Sequence, residues 1–282
     1  MYNKVGISSF ALRYAIAAST NPLDPIGVLE AAAELGAEVV QFCDNLPLAP
    51  LSGSELDALA RRAADLGLEL EAGTRGSSPA QLERYVEVTQ RLGARVLRVV
   101  LSDAEEGRTL AEERATLQAL LPRLADAGIT LALENRFRLT PDQMAAFIRS
   151  LQADPGPAAN VGACLDPLNS VSQLIGPQQA IQALAPLAVT AHVKSATMTR
   201  EGAIWVLRGC PVGEGLLDVA ALVAAVRANG RTRACGDPHG PNLLVEGWME
   251  PLETEAATRA QEMDWTRRGI AYLKGLVRGS DE

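Results

Sequence analysis

The chain has 282 residues, of which 48% are hydrophobic and 21% charged, the balance of a globular protein with a sizeable core. Its formal net charge is −8, from 26 basic and 34 acidic residues, and no block of Lys or Arg marks a phosphate-backbone track, which speaks against nucleic acid and anionic membrane as partners. Cys43, Cys164, Cys210 and Cys235 are scattered without a CxxC pair, which argues against a thiolate zinc site and a disulfide framework.

The start, Met1-Tyr2-Asn3-Lys4-Val5, lacks the apolar stretch of a signal peptide, and no run approaches membrane-spanning length, so a reduced cytoplasmic enzyme is expected. Along the chain, short β-type runs fall at Lys4 to Ser9, Glu38 to Cys43, Leu68 to Ala72 and Val96 to Leu101. Four more follow at Thr130 to Glu134, Val161 to Asp166, Val189 to Lys194 and Leu243 to Glu246. Between them lie stretches with helical spacing at roughly 24–35, 54–66, 79–92, 110–127, 141–152, 177–187 and 218–229, with a last one over about 255–277. Gly36, Gly67, Gly93 and Gly128 each stand just after a helical run, where a left-handed cap favours glycine. Ser54 with Asp57 and Thr140 with Pro141 read as helix starts.

Eight β-runs alternating with eight helices predict an α/β protein, a single-domain (β/α)8 TIM barrel over residues 1–282, rather than an open doubly wound sheet. One long irregular segment, Ser195 to Leu217, follows the seventh strand and is expected to lie as a loop over the catalytic face.

Barrel enzymes place their chemistry where strands end. Glu134 ends the fifth predicted strand, Asp166 the sixth and Glu246 the eighth, and His192, one of two histidines, lies near the end of the seventh. The successive separations are 32, 26 and 54 residues; the first two match one βα unit each, and the third contains the long segment. One carboxylate at a strand end is as readily a helix cap or an ion-pair partner of Arg136 or Lys194, but four metal-type side chains in four consecutive units converge on one rim. Three hard oxygen donors and one imidazole suit one divalent ion, Mn²⁺ first, with Mg²⁺, Co²⁺ or Zn²⁺ as alternatives.

In these features the chain resembles the xylose isomerase-like barrel superfamily of ketose 3-epimerases, hydroxypyruvate isomerase, inosose dehydratase, dehydroshikimate dehydratase and endonuclease IV. The resemblance spans nearly the whole chain. It rests on Leu133-Glu134-Asn135, Asp166-Pro167-Leu168-Asn169, His192-Val193-Lys194, Val212-Gly213-Glu214-Gly215-Leu216-Leu217-Asp218 and Val245-Glu246. It implies that Glu134, Asp166, His192 and Glu246 are the metal ligands, and that Glu134 and Glu246 are the acids facing each other across the substrate. It also implies that Asn169 holds a substrate hydroxyl, that Lys194 is the family's lysine after the histidine, and that Gly213, Gly215 and Asp218 form the turn before the seventh helix. Two positions depart from the pattern. Ser195 replaces the usual Asp, and Arg136 replaces a frequent His, a change that suits a carboxylated substrate. Endonuclease IV is set aside because its trinuclear zinc site needs more than two histidines. Sugar isomerases that use two metals also fit badly, since extra strand-end acids beside His192 are missing.

The expected activity is a divalent-metal-dependent isomerase or epimerase of a ketose or keto-polyol, moving a proton beside a carbonyl through an enediolate. Glu134 and Glu246 would be base and acid, with Lys194 assisting. The alternative is a dehydratase or lyase on a keto-polyol or cyclic keto acid, and a non-catalytic sugar binder is a third reading. Arg208, in the long segment, is a candidate substrate clamp beside Asn169 and Arg136, while Arg75 and Arg13 read as solvated loop arginines and Glu71 as following the apolar core of the third strand. Phe10, Trp205 and Trp248 could wall a sugar face, and His239, before the last strand, falls on the opposite face of a barrel. Barrels of this resemblance are often homo-oligomers; nothing in the helices decides it here.

Overall fold

The computed structural model describes residues 3–102, 107–153, 160–229 and 240–278. His239 and Cys235 lie outside the described residues. The barrel strands are β1 (Val5–Ser8), β2 (Val39–Phe42), β3 (Glu69–Arg75), β4 (Val96–Val100), β5 (Thr130–Glu134), β6 (Val161–Leu165) and β7 (Ala188–Val193). A hairpin of β8 (Ser195–Glu201) and β9 (Ile204–Cys210) precedes the last barrel strand, β10 (Asn242–Val245). The closed order is β1-β10-β7-β6-β5-β4-β3-β2, with every neighbouring pair parallel.

Strands buried on both faces explain the near-continuous apolar runs. Alternate residues such as Ile7, Val40, Phe42, Leu97, Val99, Leu131, Leu133, Val193 and Leu243 join the main core between sheet and helices. The opposite parity fills the lumen, where Gln41, Glu71, Arg98, Glu134, His192 and Asn242 bond to one another. Among the described residues, a small cluster of Val96, Ala132, Cys164 and Val189 forms a separate apolar centre.

The outer helices are α1 (Arg13–Ile16), α2 (Pro25–Glu34), α3 (Gly53–Asp65), α4 (Pro79–Arg91), α5 (Leu110–Asp126), α6 (Pro141–Gln152), α7 (Pro177–Leu184), α8 (Val219–Asn229) and α9 (Glu255–Arg278). Gly36, Gly67, Gly93 and Gly128 take the expected left-handed conformation, with φ of 80°, 69°, 64° and 67°. Thr140 caps α6 with Gln143 in a capping box. The start of α3 differs from expectation: Ser52, not Ser54, is the N-cap, because Glu55 three residues on can bond back to it.

The segment after β7 also departs from the sequence reading. Residues 195–210 form an antiparallel hairpin instead of an irregular loop, paired in register from Ser195↔Cys210 to Glu201↔Ile204. Gly202, with φ 62°, opens its two-residue turn, where a positive φ at the first central position matches the strand twist. The hairpin's tip is exposed and β8 is polar there, so the apolar run Ile204-Trp205-Val206-Leu207 had no apolar partner run to mark a hairpin. β3 likewise runs to Arg75, so Glu71 lies inside the strand rather than beyond its core.

Candidate metal centre and active site

Parallel strands ending on one rim bring the four sequence-predicted ligands together. Glu134 is the last residue of β5, His192 is next to last in β7, and Asp166 and Glu246 immediately follow β6 and β10. All four are buried. His192 Nδ1 lies 3.1 Å from Glu246 Oε1, 3.7 Å from Glu134 Oε2 and 3.8 Å from Asp166 Oδ2. That nitrogen has no hydrogen-bond partner. A buried imidazole nitrogen left unbonded before three carboxylate oxygens is the arrangement a hard divalent cation satisfies, so these residues fit the metal expected of them.

The electrostatics agree. Burial alone would push the His192 pKa down, but Glu246, Glu134 and Asp166 outweigh it and hold it above the ordinary histidine value. Burial would likewise raise Glu246, yet His192, Lys194 and Ser8 bring its carboxyl well below the usual range. The cluster therefore demands positive charge at its centre. Cys43 and Cys164 stand close by, and burial raises both thiols well above the ordinary value.

Other side chains lock the carboxylates. Ser8 Oγ donates to Glu246 Oε1 at 2.6 Å. Lys194 Nζ lies 2.5 Å from Asp166 Oδ2 and 3.0 Å from Glu246 Oε2, and it stacks on the Trp248 ring with 4.6 Å to the centroid. The carboxylates overcome burial and raise the Lys194 pKa, so its ammonium stays protonated. Asp166 Oδ1 accepts the backbone N–H groups of Leu168 and Asn169, capping a short 3-10 helix (Pro167–Gln173) that carries Asn169. Asn169 Nδ2 donates to Glu134 Oε1 at 3.0 Å.

Arg98, in the middle of β4, is fully buried and donates from Nε to Glu134 Oε2 at 2.5 Å and from Nη1 to Asp44 Oδ1 at 2.7 Å. A cavity opens above the cluster, lined by Phe10, Arg98, Arg136, Phe137, Lys194 and Trp248 together with Glu134, Asn169 and Glu246. Arg136 stands in its wall, 3.7 Å from Asp44 Oδ2, with its guanidinium 5.5 Å from the Phe137 ring centre.

The chain belongs to the xylose isomerase-like TIM barrel family. That family's profile matches residues 29–274. The 3-oxo-isoapionate decarboxylase of Pectobacterium atrosepticum is 34% identical over 273 residues, covering 95% of this chain and 94% of that protein. Among solved structures, a xylose isomerase domain protein from Planctomyces limnophilus superposes with a TM-score of 0.70 at 17% identity, over 98% of each chain. A xylose isomerase-like TIM barrel protein from Mycobacterium smegmatis, solved with magnesium, gives 0.68 at 17% identity over 96% of this chain and all of that one.

The remaining sequence candidates separate. Asn169, Arg136 and Lys194 reach the cavity, as do Phe10 and Trp248. Arg208 does not line it: on β9 it pairs with Glu201 and, at 3.5 Å, with Glu250. Trp205 is exposed on the same hairpin. Arg13 donates to Met249 O and Tyr14 Oη in a neighbouring cavity, and Arg75 ends β3 in an exposed position. Ser195 donates to Glu214 O. Asp218 caps α8 through Ala221 N at 2.9 Å, and Gly213 and Gly215 adopt φ of 94° and 95°. Sequence reasoning passed over Arg98, Gln41, Ser8 and Asp44. The available signal was a lone polar residue inside an apolar run, as in Val96-Leu97-Arg98-Val99-Val100 and Val39-Val40-Gln41-Phe42.

Proposed function

We propose that the protein is a divalent-metal-dependent lyase that decarboxylates a 3-oxo sugar acid. The observation that carries this is the charge of the cavity. Glu134, Asp166, Glu246 and Asp44 face Arg98, Lys194 and Arg136, so a divalent ion leaves one net positive charge for a monocarboxylate to cancel. The end-to-end likeness to a decarboxylase of a 3-oxo acid supports the same reading.

Glu134, Asp166, His192 and Glu246 would hold the ion, Mn²⁺ before Mg²⁺, Co²⁺ or Zn²⁺. When bound it supplies Lewis acidity to the substrate carbonyl. Arg136 receives the substrate carboxylate at the cavity wall, and Asn169 orients a hydroxyl beside Glu134. The C–C bond to the carboxylate breaks, CO₂ leaves, and the electron pair passes to the carbonyl as an enolate. Lys194, held protonated, then returns a proton to the carbon that lost CO₂ and is recharged from solvent. Phe10, Phe137 and Trp248 keep water away from the enolate. No base is required, which suits two glutamates already paired with Arg98 and Lys194.

A second reading, epimerisation or isomerisation of a ketose, is favoured by one feature. Glu134 and Glu246 reach the same nitrogen from β5 and β10, strands separated by two others, as an acid–base pair across a substrate would. The test is NMR in D₂O of the Mn²⁺-treated, then chelated and Mg²⁺-exchanged, protein with 3-oxo-isoapionate and with a panel of ketoses and keto-inositols. CO₂ release with deuterium at the carbon that bore the carboxylate is expected. Deuterium beside a ketose carbonyl with all carbons retained supports the second reading and overturns the first, and loss of a hydroxyl means a dehydratase.

A further inference from the structure

Beneath the metal cluster a chain of buried amides and carboxylates runs through the lumen. His192 Nε2 lies 2.7 Å from Gln41 Oε1, and Gln41 Nε2 donates to Glu71 Oε2 at 2.7 Å. Asn242 Nδ2 donates to Glu71 Oε1 at 2.6 Å and to Glu69 Oε1 at 3.0 Å, and Lys4 Nζ pairs with Glu69 Oε2 at 2.7 Å. Gln41, Glu71, His192 and Asn242 are wholly buried.

The order of donors leaves little freedom. The Glu71 carboxylate only accepts, so it turns the NH₂ group of Gln41 toward itself and the oxygen toward His192. Cys43 Sγ, 3.1 Å away, also donates to that oxygen. An amide oxygen facing Nε2 requires an N–H there, which leaves the lone pair of the neutral ring on Nδ1, the nitrogen aimed at the three carboxylates.

We infer that Gln41 is a positioning residue that selects the metal-ligating tautomer of His192, and that Glu71, anchored by Asn242, sets the orientation of Gln41. The inference rests on the reading of the strand-end cluster as a metal site.

The test combines calorimetric Mn²⁺ binding with ¹⁵N NMR of histidine-labelled, metal-free protein at a pH where the ring is neutral. With two histidines in the chain, a His239→Gln variant assigns the signals. The parent is expected to show the Nε2–H form of His192. Gln41→Leu should mix the tautomers and weaken Mn²⁺ binding about 10–100-fold. Glu71→Gln provides an independent arm that leaves Gln41 in place. A neutral amide allows Gln41 to flip, so part of His192 should move to the Nδ1–H form. Gln41→Glu, which keeps an acceptor, should restore the Nε2–H form. An Nε2–H form unchanged in Gln41→Leu and Glu71→Gln, with Mn²⁺ binding within twofold of the parent, overturns the inference. A parent that binds no divalent ion defeats the metal reading instead, and the tautomer comparison still decides the role of Gln41.

Discussion

Replacing Arg98 by Met tests the electrostatic frame of the site. The guanidinium is 1% exposed, and it pairs with Glu134, itself 3% exposed, and with Asp44. Removing one partner of a buried ion pair costs about 3–5 kcal/mol, because the other charge stays buried without compensation. That is about a fifth or more of a typical domain stability of about 5–15 kcal/mol. At about 2–4 °C per kcal/mol for a chain of this size, the metal-free variant should melt about 6–20 °C below the parent at pH 7. The deficit should depend on pH with a definite sign. Burial alone would raise Asp44, but Arg98, with help from Arg136, holds it below the ordinary range, so its stabilisation is present above the unfolded value and lost as pH falls. Without Arg98, burial raises the same carboxyl, and a raised acid regains stability as pH falls. The gap between the two proteins should therefore narrow on acidification, and Mn²⁺ should close part of it at pH 7. Thermal melts followed by circular dichroism read all three effects. A metal-free Tm within about 2 °C of the parent at pH 7 would refute the premise that Glu134 and Asp44 need a compensating charge.

Asp166→Ala should abolish tight Mn²⁺ binding in calorimetry and turnover in the CO₂ assay, and chelation of the parent should do the same reversibly; turnover that survives both would remove the metal from the reaction. Burial raises the Glu262 carboxyl to about 7 against the backbone N–H groups of Tyr14 and Ala15 that it accepts from. A raised acid loses stability as pH climbs from the ordinary carboxylate range through about 7, so the parent should lose about 3 kcal/mol relative to Glu262→Gln across that window; parallel Tm profiles would contradict this. Gly215→Ala would set a methyl 2.3 Å from Ala196 O at φ 95°, whereas Gly36→Ala meets open space at φ 80°. The Gly36 change should cost about 1–2 kcal/mol, the left-handed penalty alone, and the Gly215 change clearly more in urea unfolding.

The barrel was legible because its signals are local and repeat. Apolar strand runs, glycine caps and helical spacing recur unit after unit, and β4 to β7 fall within a residue or two of their expected positions. The convergence of Glu134, Asp166, His192 and Glu246 was legible for a related reason: parallel strands of one barrel end on one rim, so strand-end position already implies it. The polar lumen was not legible, since period-2 alternation in a strand buried on both faces is hidden by apolar neighbours, and Arg98, Gln41 and Glu71 show their direction only once the barrel closes. The pairing of Arg208 with Glu201 and Glu250 was hidden for want of the hairpin that places its guanidinium.

The composition of the lumen bears on why the site is built this way. Barrel interiors are generally packed with branched aliphatic side chains, yet here Gln41, Glu71, Arg98 and Asn242 are buried around the strand-end cluster. Buried ion pairs and amides of this kind are often matched or exceeded in stability by aliphatic residues of similar volume, so folding energy does not account for them. Orientation does. Arg98 fixes Glu134, Gln41 fixes His192, and Ser8 and Lys194 fix Glu246. These bonds hold the strand-end side chains in one arrangement, and side chains held this way lose little freedom when a ligand binds among them.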